Sequence, residues 1–171
     1  MDFSAYDKAA AKYYSGLDIK TMPLISWDFF SQSFSNKQLT ILDNSVLSKL
    51  ETKNNWETTW DFTNMLQNET VIVVTDSKLK IVFASENINK MNGYNPKEVI
   101  GQTPKMFQGK DTDAAISNEI RLAIENQKPF DKVVLNYRKD GSVYKCHIKG
   151  HPIFNHNGKL INFIAFEKIA A

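Results

Sequence analysis

The spacing of the apolar residues changes near residue 70, and this change constrains the fold more than any other feature. Before it, apolar side chains recur every three or four positions, as in Trp27, Phe30 and Phe34, which is typical of amphipathic helices. After it, short runs of β-branched and aromatic residues alternate with turn signals. We therefore predict a helical extension over residues 1–69 and a mixed α/β region over residues 70–171.

The extension is predicted to contain four helical segments. Their apolar residues fall within residues 3–13, 27–34, 39–50 and 56–66, and the first segment ends at Gly16. In the last segment, Trp56 and Trp60 are expected one helical turn apart. Large aromatic residues in such a pattern usually belong to a core, so we interpret the tryptophan pair as core packing.

Five strands are predicted in the second region. They cover residues 70–76, 80–85, 131–138, 142–155 and 160–169, and the turn sequences KDG and NHNG join the last three as hairpins. A longer helix is predicted within residues 111–127, after several short helical pieces, one of which starts with Asn95 as N-cap and Pro96 at the first helical position. This order predicts an α+β fold with one five-stranded antiparallel sheet.

The last strand is apolar on both faces. Ile161, Phe163 and Ala165 alternate with Ile164 and Phe166, so both faces of the sheet must be covered. The short helices of the second region would cover one face. The helical extension or a second subunit would cover the other, and we expect the chain to form a homodimer.

Charge and cysteine content exclude several functions. The 21 basic and 19 acidic residues are scattered and give a net charge of +2, so no broad basic face for nucleic acid is expected. One cysteine, Cys146, excludes an internal disulfide and a zinc-thiolate cluster. No signal peptide or membrane-spanning run is evident. We expect a cytoplasmic protein without a membrane partner.

Four motifs occur in the order GYNPKEVIG, FQGKDTD, EIRLAI and LNYRKDGS. Over residues 70–169 they closely resemble a PAS domain, specifically the light-oxygen-voltage (LOV) branch that binds flavin mononucleotide. The resemblance implies a PAS fold and a sensory or interaction role. Residues 1–69 lie outside it.

LOV domains carry a Gly-x-Asn-Cys-Arg-Phe-Leu-Gln motif whose cysteine attacks the photoexcited flavin. The similar stretch here is GQTPKMFQ, residues 101–108, so Pro104 falls at the cysteine position. Proline has no nucleophile. We expect Thr103 to be extended and a short helix to begin at Pro104, because a proline needs no N–H there.

The resemblance also implies a candidate flavin or ligand pocket. Its six positions are Lys105, Gln108, Arg121, Asn136, Cys146 and Glu167. Lys105 and Arg121 match cationic positions of the family, and Gln108 and Asn136 match amide positions. Cys146 stands where the family has a second asparagine, and Glu167 where it has a glutamine that signals. A thiol and an acid cannot reproduce those amide hydrogen bonds, which argues against flavin as the cofactor.

The register of the hairpin that KDG closes affects this pocket. A two-residue turn would set Asn136 opposite Lys145, and one bulged residue would set it opposite Cys146, with both side chains on the pocket face. We adopt the bulged register.

Simpler interpretations stand beside the functional ones. Arg121 has the spacing to pair with Glu125 on a helix surface. Asp111 and Asp113 are expected to be N-caps. His147 and His151 lie ~13 Å apart along a strand, too far to share a metal.

These features favour a signalling module that senses or transmits through its pocket and passes a signal to another protein. No catalytic constellation is present, so no enzyme activity is expected. Two alternatives stay open: a flavoprotein that responds through flavin reduction without an adduct, and a structural dimerisation module with a filled pocket.

Overall fold

The structure, a computed structural model, describes residues 24–57 and 60–170, with side chains from residue 38 onward. The chain divides into two compact units, residues 1–36 and 37–171. The account below concerns the second unit, together with the bounds of the helix that begins at Leu24. The helix expected over residues 3–13 and the side chains Trp27, Phe30 and Phe34 lie outside the described residues.

Two of the predicted helical segments form one helix, α1, Leu24–Asn54. It ends where Asn55 takes a positive φ of 51°, a conformation that asparagine tolerates. The prediction that Trp56 and Trp60 share a helix was wrong, because Trp56 forms an isolated antiparallel bridge with Asn155. The next helix, α2, is Phe62–Gln67, and the Asp61 side chain caps it by accepting from the Asn64 N–H.

The five predicted strands are confirmed. They are β1 Val71–Asp76, β2 Ile81–Ala84, β3 Phe130–Tyr137, β4 Val143–Phe154 and β5 Leu160–Ile169. All neighbours are antiparallel in one sheet of order β2-β1-β5-β4-β3. The α+β fold predicted from the change in periodicity is therefore present.

Short helices connect β2 to β3. They are α3 Ile88–Asn92, α4 Pro96–Val99, a 3-10 helix Pro104–Phe107, and α5 Ala114–Glu125. Asn95 and Asp113 are N-caps, as predicted. The expectation that Asp111 is also an N-cap was wrong: its carboxylate accepts a 2.6 Å hydrogen bond from the Tyr137 hydroxyl.

The β3–β4 register differs from both registers that the sequence suggested. Asn136 lies opposite Tyr144, and Cys146 lies opposite Val134. The reason is a longer turn, closed by a 2.7 Å hydrogen bond from Arg138 N–H to the Ser142 carbonyl, with Gly141 at a φ of +85°. Asn136 and Cys146 still share a face, because both alternate in phase with Val134 and Tyr144.

Both faces of the sheet are covered by apolar clusters. We call the face under α3, α4 and the 3-10 helix the inner face; its cluster includes Val71, Val73, Ile88, Met91, Val99, Phe107, Tyr144 and Cys146. The outer cluster includes Leu47, Trp56, Phe62, Leu66, Ile72, Val74, Ile153, Ile164 and Phe166. The end of α1 and the side chains of Trp56, Trp60, Phe62 and Leu66 thus pack on the outer face, and the tryptophans belong to a core as predicted. Within the described ranges, no helix is long and apolar enough to cross a bilayer.

Candidate functional site

A group of buried polar side chains lies inside the inner layer, and we call it the inner polar cluster: Asn92, Asn136, Tyr144, Cys146 and Glu167. None is more than 6% exposed. Residues 136, 144 and 146 face inward from the β3–β4 hairpin, and Glu167 does so from β5. Asn92 comes from the end of α3. The cluster therefore joins four separate elements at one point.

Cys146 and Glu167 contact each other across neighbouring strands. Cys146 pairs with Ile169 and Glu167 pairs with Ile148, so the two side chains are diagonal neighbours on one face. The Cys146 Sγ donates to Glu167 Oε2 at 3.6 Å. Where the LOV-type site would need two amide groups, this chain has an acid bonded to a thiol.

Burial dominates the electrostatics of this pair. It raises the pKa of Glu167 from 4.5 to about 7, and the thiol hydrogen bond offsets the shift only in part. Burial, and then the neighbouring Glu167, raise the pKa of Cys146 well above its ordinary value. Since the thiolate is the reactive form of cysteine, Cys146 is held as an inert thiol.

Sequence reasoning missed two members of the cluster. The Tyr144 hydroxyl and the Asn92 Nδ2 are buried and form no hydrogen bond of ordinary length and angle with a described residue. Burial raises the pKa of Tyr144, and the cluster members Cys146 and Glu167 add to this shift, while the nearby Asn92 and Asn136 side chains offset it in part. Tyr144 could have been found from its two-residue spacing to Cys146. Asn92 carried no such signal, because a five-residue helix reveals no face by periodicity.

The stretch at residues 101–108 takes the predicted shape. Thr103 is extended, with φ −102° and ψ 150°, and the 3-10 helix starts at Pro104. Two backbone bonds tie the stretch to β2: Ile81 N–H donates to the Gln102 carbonyl at 2.8 Å, and Gly101 N–H donates to the Ile81 carbonyl at 2.7 Å. Phe107 is buried in the inner cluster, so this backbone shape anchors an aromatic side chain.

The remaining candidate residues lie outside the inner polar cluster. Lys105 is exposed and Gln108 is half-buried. The Arg121 guanidinium is exposed on α5, where it pairs with Glu125 and bonds the Asn118 side chain. The surface pairing of Arg121 with Glu125 suggested by their spacing is thus present.

The two strand histidines also occupy separate environments. His147 bonds Asp131, and the His151 ring lies 6.3 Å from the Trp60 ring and 5.9 Å from the Phe166 ring. In the described part of the chain, no three His, Cys, Asp or Glu side chains are placed to hold a metal ion.

The sheet order, the short helices across its inner face and the buried cluster between them define the PAS class of sensory modules. A family model described as PAS domain matches residues 68–168, and the chain belongs to this family.

Its relatives include LOV proteins. It is 42% identical over 87 residues to Phototropin-2 of Oryza sativa subsp. japonica, which is 51% of this chain and 10% of that protein. It is 42% identical over 88 residues to Protein TWIN LOV 1 of Arabidopsis thaliana, covering 51% of this chain and 22% of that protein. The chain thus matches at most about a fifth of the length of these relatives.

Solved structures agree with the fold. A structure described as "Flavin Analogue Sheds Light on Light-Oxygen-Voltage Domain Mechanism" superposes with a TM-score of 0.61 and 26% identity, over 66% of this chain and 86% of that one. The light-state structure of the blue-light photoreceptor Aureochrome1 LOV superposes with a TM-score of 0.57 and 26% sequence identity. The match covers 59% of this chain and 81% of that one. The chain is a PAS signalling module with LOV-type relatives.

Proposed function

We propose that this chain senses or transmits a signal through its inner face without the LOV photoadduct, by ligand-dependent or protein–protein interaction. The observation that carries the proposal is the Cys146–Glu167 contact of 3.6 Å inside the inner polar cluster. The thiol of Cys146 and the carboxyl of Glu167 hydrogen-bond to each other at the positions where a LOV-type site presents amide groups. The module would pass its signal to a separate protein and catalyse no reaction.

Flavin mononucleotide does not fit the residues present. An isoalloxazine edge needs neutral groups that both donate and accept hydrogen bonds. By the resemblance, Asn136, Cys146 and Glu167 occupy the three positions at that edge, and only Asn136 is an amide. A carboxyl whose pKa is about 7 would be partly ionised at neutral pH, and its charge would face the ring carbonyls. At the phosphate end, Arg121 is already paired with Glu125.

Pro104 supports the absence of adduct chemistry. It occupies the position that the resemblance assigns to the reactive cysteine, and it offers only ring carbons. The chain's single cysteine, Cys146, lies on β4, and burial keeps its thiol protonated.

Flavin content tests the proposal directly. Freshly purified protein should lack a flavin absorption spectrum, and native mass spectrometry should show no flavin mononucleotide. The double variant Cys146→Asn with Glu167→Gln restores both amides and should retain more added flavin than the wild type. A yellow wild-type protein with stoichiometric flavin would overturn the proposal in favour of the alternative, a flavoprotein that responds through flavin reduction.

The second alternative is a structural dimerisation module, favoured by the side chains that fill the inner layer. We propose self-association in either case, through α1. Leu39, Leu42 and Val46 form an apolar stripe on this helix and are 37%, 55% and 44% exposed.

We also propose a cytoplasmic location, because a reducing compartment suits a chain with one thiol and no disulfide.

A further inference from the structure

The outer cluster covers only part of the outer face. It extends over β1, β2, the end of β4 and the middle of β5. Beyond Phe166 on β5 and His151 on β4, the outward side chains change character. Lys168 follows on β5, and Lys149, His147 and Lys145 follow on β4, with Val133 beside them on β3. We call these five residues the cationic face.

The cationic face carries more positive than negative charge. Asp131 is the carboxylate that the described ion pairs place at this face; it bonds His147 and lies 3.5 Å from the Lys149 Nζ. The His147 hydrogen bond, and then Lys149, lower the pKa of Asp131, so this carboxylate is ionised and already shared. Lys145 and Lys168 are exposed and form no ion pair with a described residue.

The two lysines lie close together on the sheet. His147 pairs with Lys168, and Ala170 N–H donates to the Lys145 carbonyl at 2.9 Å, so Lys145 and Lys168 are diagonal neighbours. Diagonal neighbours on one face lie ~7–8 Å apart. This spacing separates the backbones of Lys145 and Lys168, so their two unpaired ammonium groups lie over the same part of the face. The like charges repel each other, and an anionic group between them would be stabilised by both.

Apolar surface accompanies these charges. Val133 is 42% exposed, directly opposite His147, and Val143, at the same end of β4, is 47% exposed. β-Branched side chains on a sheet face normally pack against another element. A partner that combined negative charge with an apolar stripe would cover both features.

We propose that the cationic face docks an acidic, amphipathic helix of the protein that receives the signal. The inference rests on the proposed role of the chain as a signalling module, and it names the chemistry of the partner. A second copy of this chain is disfavoured here, because a two-fold contact would set lysines against lysines. Nucleic acid would satisfy the lysines and leave the valines against a phosphate backbone.

The surface also connects to the inner polar cluster. Lys168 follows Glu167 directly on β5, and Lys145 precedes Cys146 on β4. Successive strand residues point to opposite faces, so the acid–thiol pair and the two free lysines occupy the same strand segments on opposite sides of the sheet. A shift of these segments by an inner ligand would move the docking lysines with them.

Binding of synthetic helical peptides tests the proposal. The probe has Leu at positions i, i+3, i+4 and i+7 and Glu at its exposed positions; a matched peptide has Lys in place of Glu. We expect fluorescence anisotropy with the full chain to show binding of the Glu peptide at least about tenfold tighter than the Lys peptide. Binding should weaken as salt is raised.

Charge reversal locates the site. Lys145→Glu with Lys168→Glu should weaken binding of the Glu peptide about tenfold, because two favourable pairs become repulsive. Lys78→Glu with Lys80→Glu makes the same charge change at the β1–β2 turn and should leave binding unchanged. All four lysines are exposed, so both variants should fold, and circular dichroism verifies it.

Several outcomes would overturn the docking proposal: equal binding of both peptides, equal weakening in the two double variants, or double-stranded DNA binding with the same dependence on Lys145 and Lys168. A dimer that Lys145→Glu abolishes would assign the face to self-association instead. None of these results bears on flavin content, so failure of the docking surface is distinguishable from failure of the proposed sensing function.

Discussion

Asp43 of α1 accepts a 2.9 Å hydrogen bond through Oδ2 from the backbone N–H of Glu86. Glu86 lies in the turn that leads from β2 into α3, so this contact joins a helix of the outer layer to the start of a helix of the inner layer. The turn is tied down further, since the Ser85 Oγ accepts from Ile72 N–H at 2.8 Å and the Asn87 Nδ2 donates to the Thr70 carbonyl at 3.0 Å. Asp43 thus links α1 to the segment that begins α3, the helix that carries Asn92 of the inner polar cluster.

Removing the Asp43 acceptor should destabilise the domain. Asp43→Ala leaves the Glu86 N–H without this partner, and at pH 4, where Asp43 in the folded protein is protonated, we expect a loss of about 1–2 kcal/mol in the free energy of unfolding. Asp43→Asn keeps an acceptor of the same shape and is the matched control; it should unfold at an equal or higher denaturant concentration at pH 7.5. Equal stability of the Ala and wild-type proteins in urea unfolding would contradict a coupling role for this bond.

The same residue should make stability depend on pH. Burial raises the pKa of Asp43 from 3.8 to about 6, so the folded state binds a proton more tightly than the unfolded state. The folding stability that the protonated Asp43 contributes is therefore fully present below about pH 4, and it is lost as the pH rises through 6. Urea midpoints between pH 4 and 6 should fall less steeply with pH in Asp43→Asn than in wild type. Parallel curves would show that Asp43 titrates normally.

Glu167 should dominate the next pH interval. Its pKa rises from 4.5 to about 7, so ionisation costs stability progressively from about pH 4.5 to 7. Glu167→Gln removes this charge and should be more stable than wild type at pH 8, by about 1–3 kcal/mol. The exposed control Glu125→Gln should change stability by less than about 0.5 kcal/mol. A Gln variant that unfolds more easily at pH 8 would mean that the ionised carboxylate has a favourable partner.

Restoring a nucleophile at position 104 should restore light chemistry. In protein reconstituted with flavin mononucleotide, the Cys146→Asn, Glu167→Gln variant should keep its blue absorption band under illumination. Adding Pro104→Cys should produce reversible bleaching of that band, because a thiol then stands where the resemblance places the reactive one. Reversible bleaching in the wild-type chain that disappears in Cys146→Ala would instead identify Cys146 as the nucleophile.

Charge on the α1 stripe should disrupt self-association. Leu42→Glu with Val46→Glu places two carboxylates on exposed apolar positions, and we expect a dimer to become a monomer by light scattering. Ser45→Glu with Ser48→Glu carries the same charge on exposed α1 positions outside the stripe and should remain dimeric. A monomeric wild-type protein at the concentrations of the assay would refute the dimer.

The sequence alone determined which segments became strands and in what order, together with the caps at Asn95 and Asp113 and the helix start at Pro104. These features depend on local side-chain spacing and backbone preference, which a sequence displays directly. The extended Thr103 before Pro104 follows from the steric restriction that a proline imposes on its predecessor.

Only the tertiary structure decided how these segments meet. The register at Asn136 depends on a turn closed between Arg138 and Ser142, which a sequence pattern specifies only loosely. The bridge from Trp56 to Asn155 joins positions about a hundred residues apart, and so took Trp56 out of its predicted helix. The contact of Cys146 with Glu167 and the buried Asn92 likewise arise from packing between distant elements, because burial and pKa depend on neighbours that no local spacing reveals.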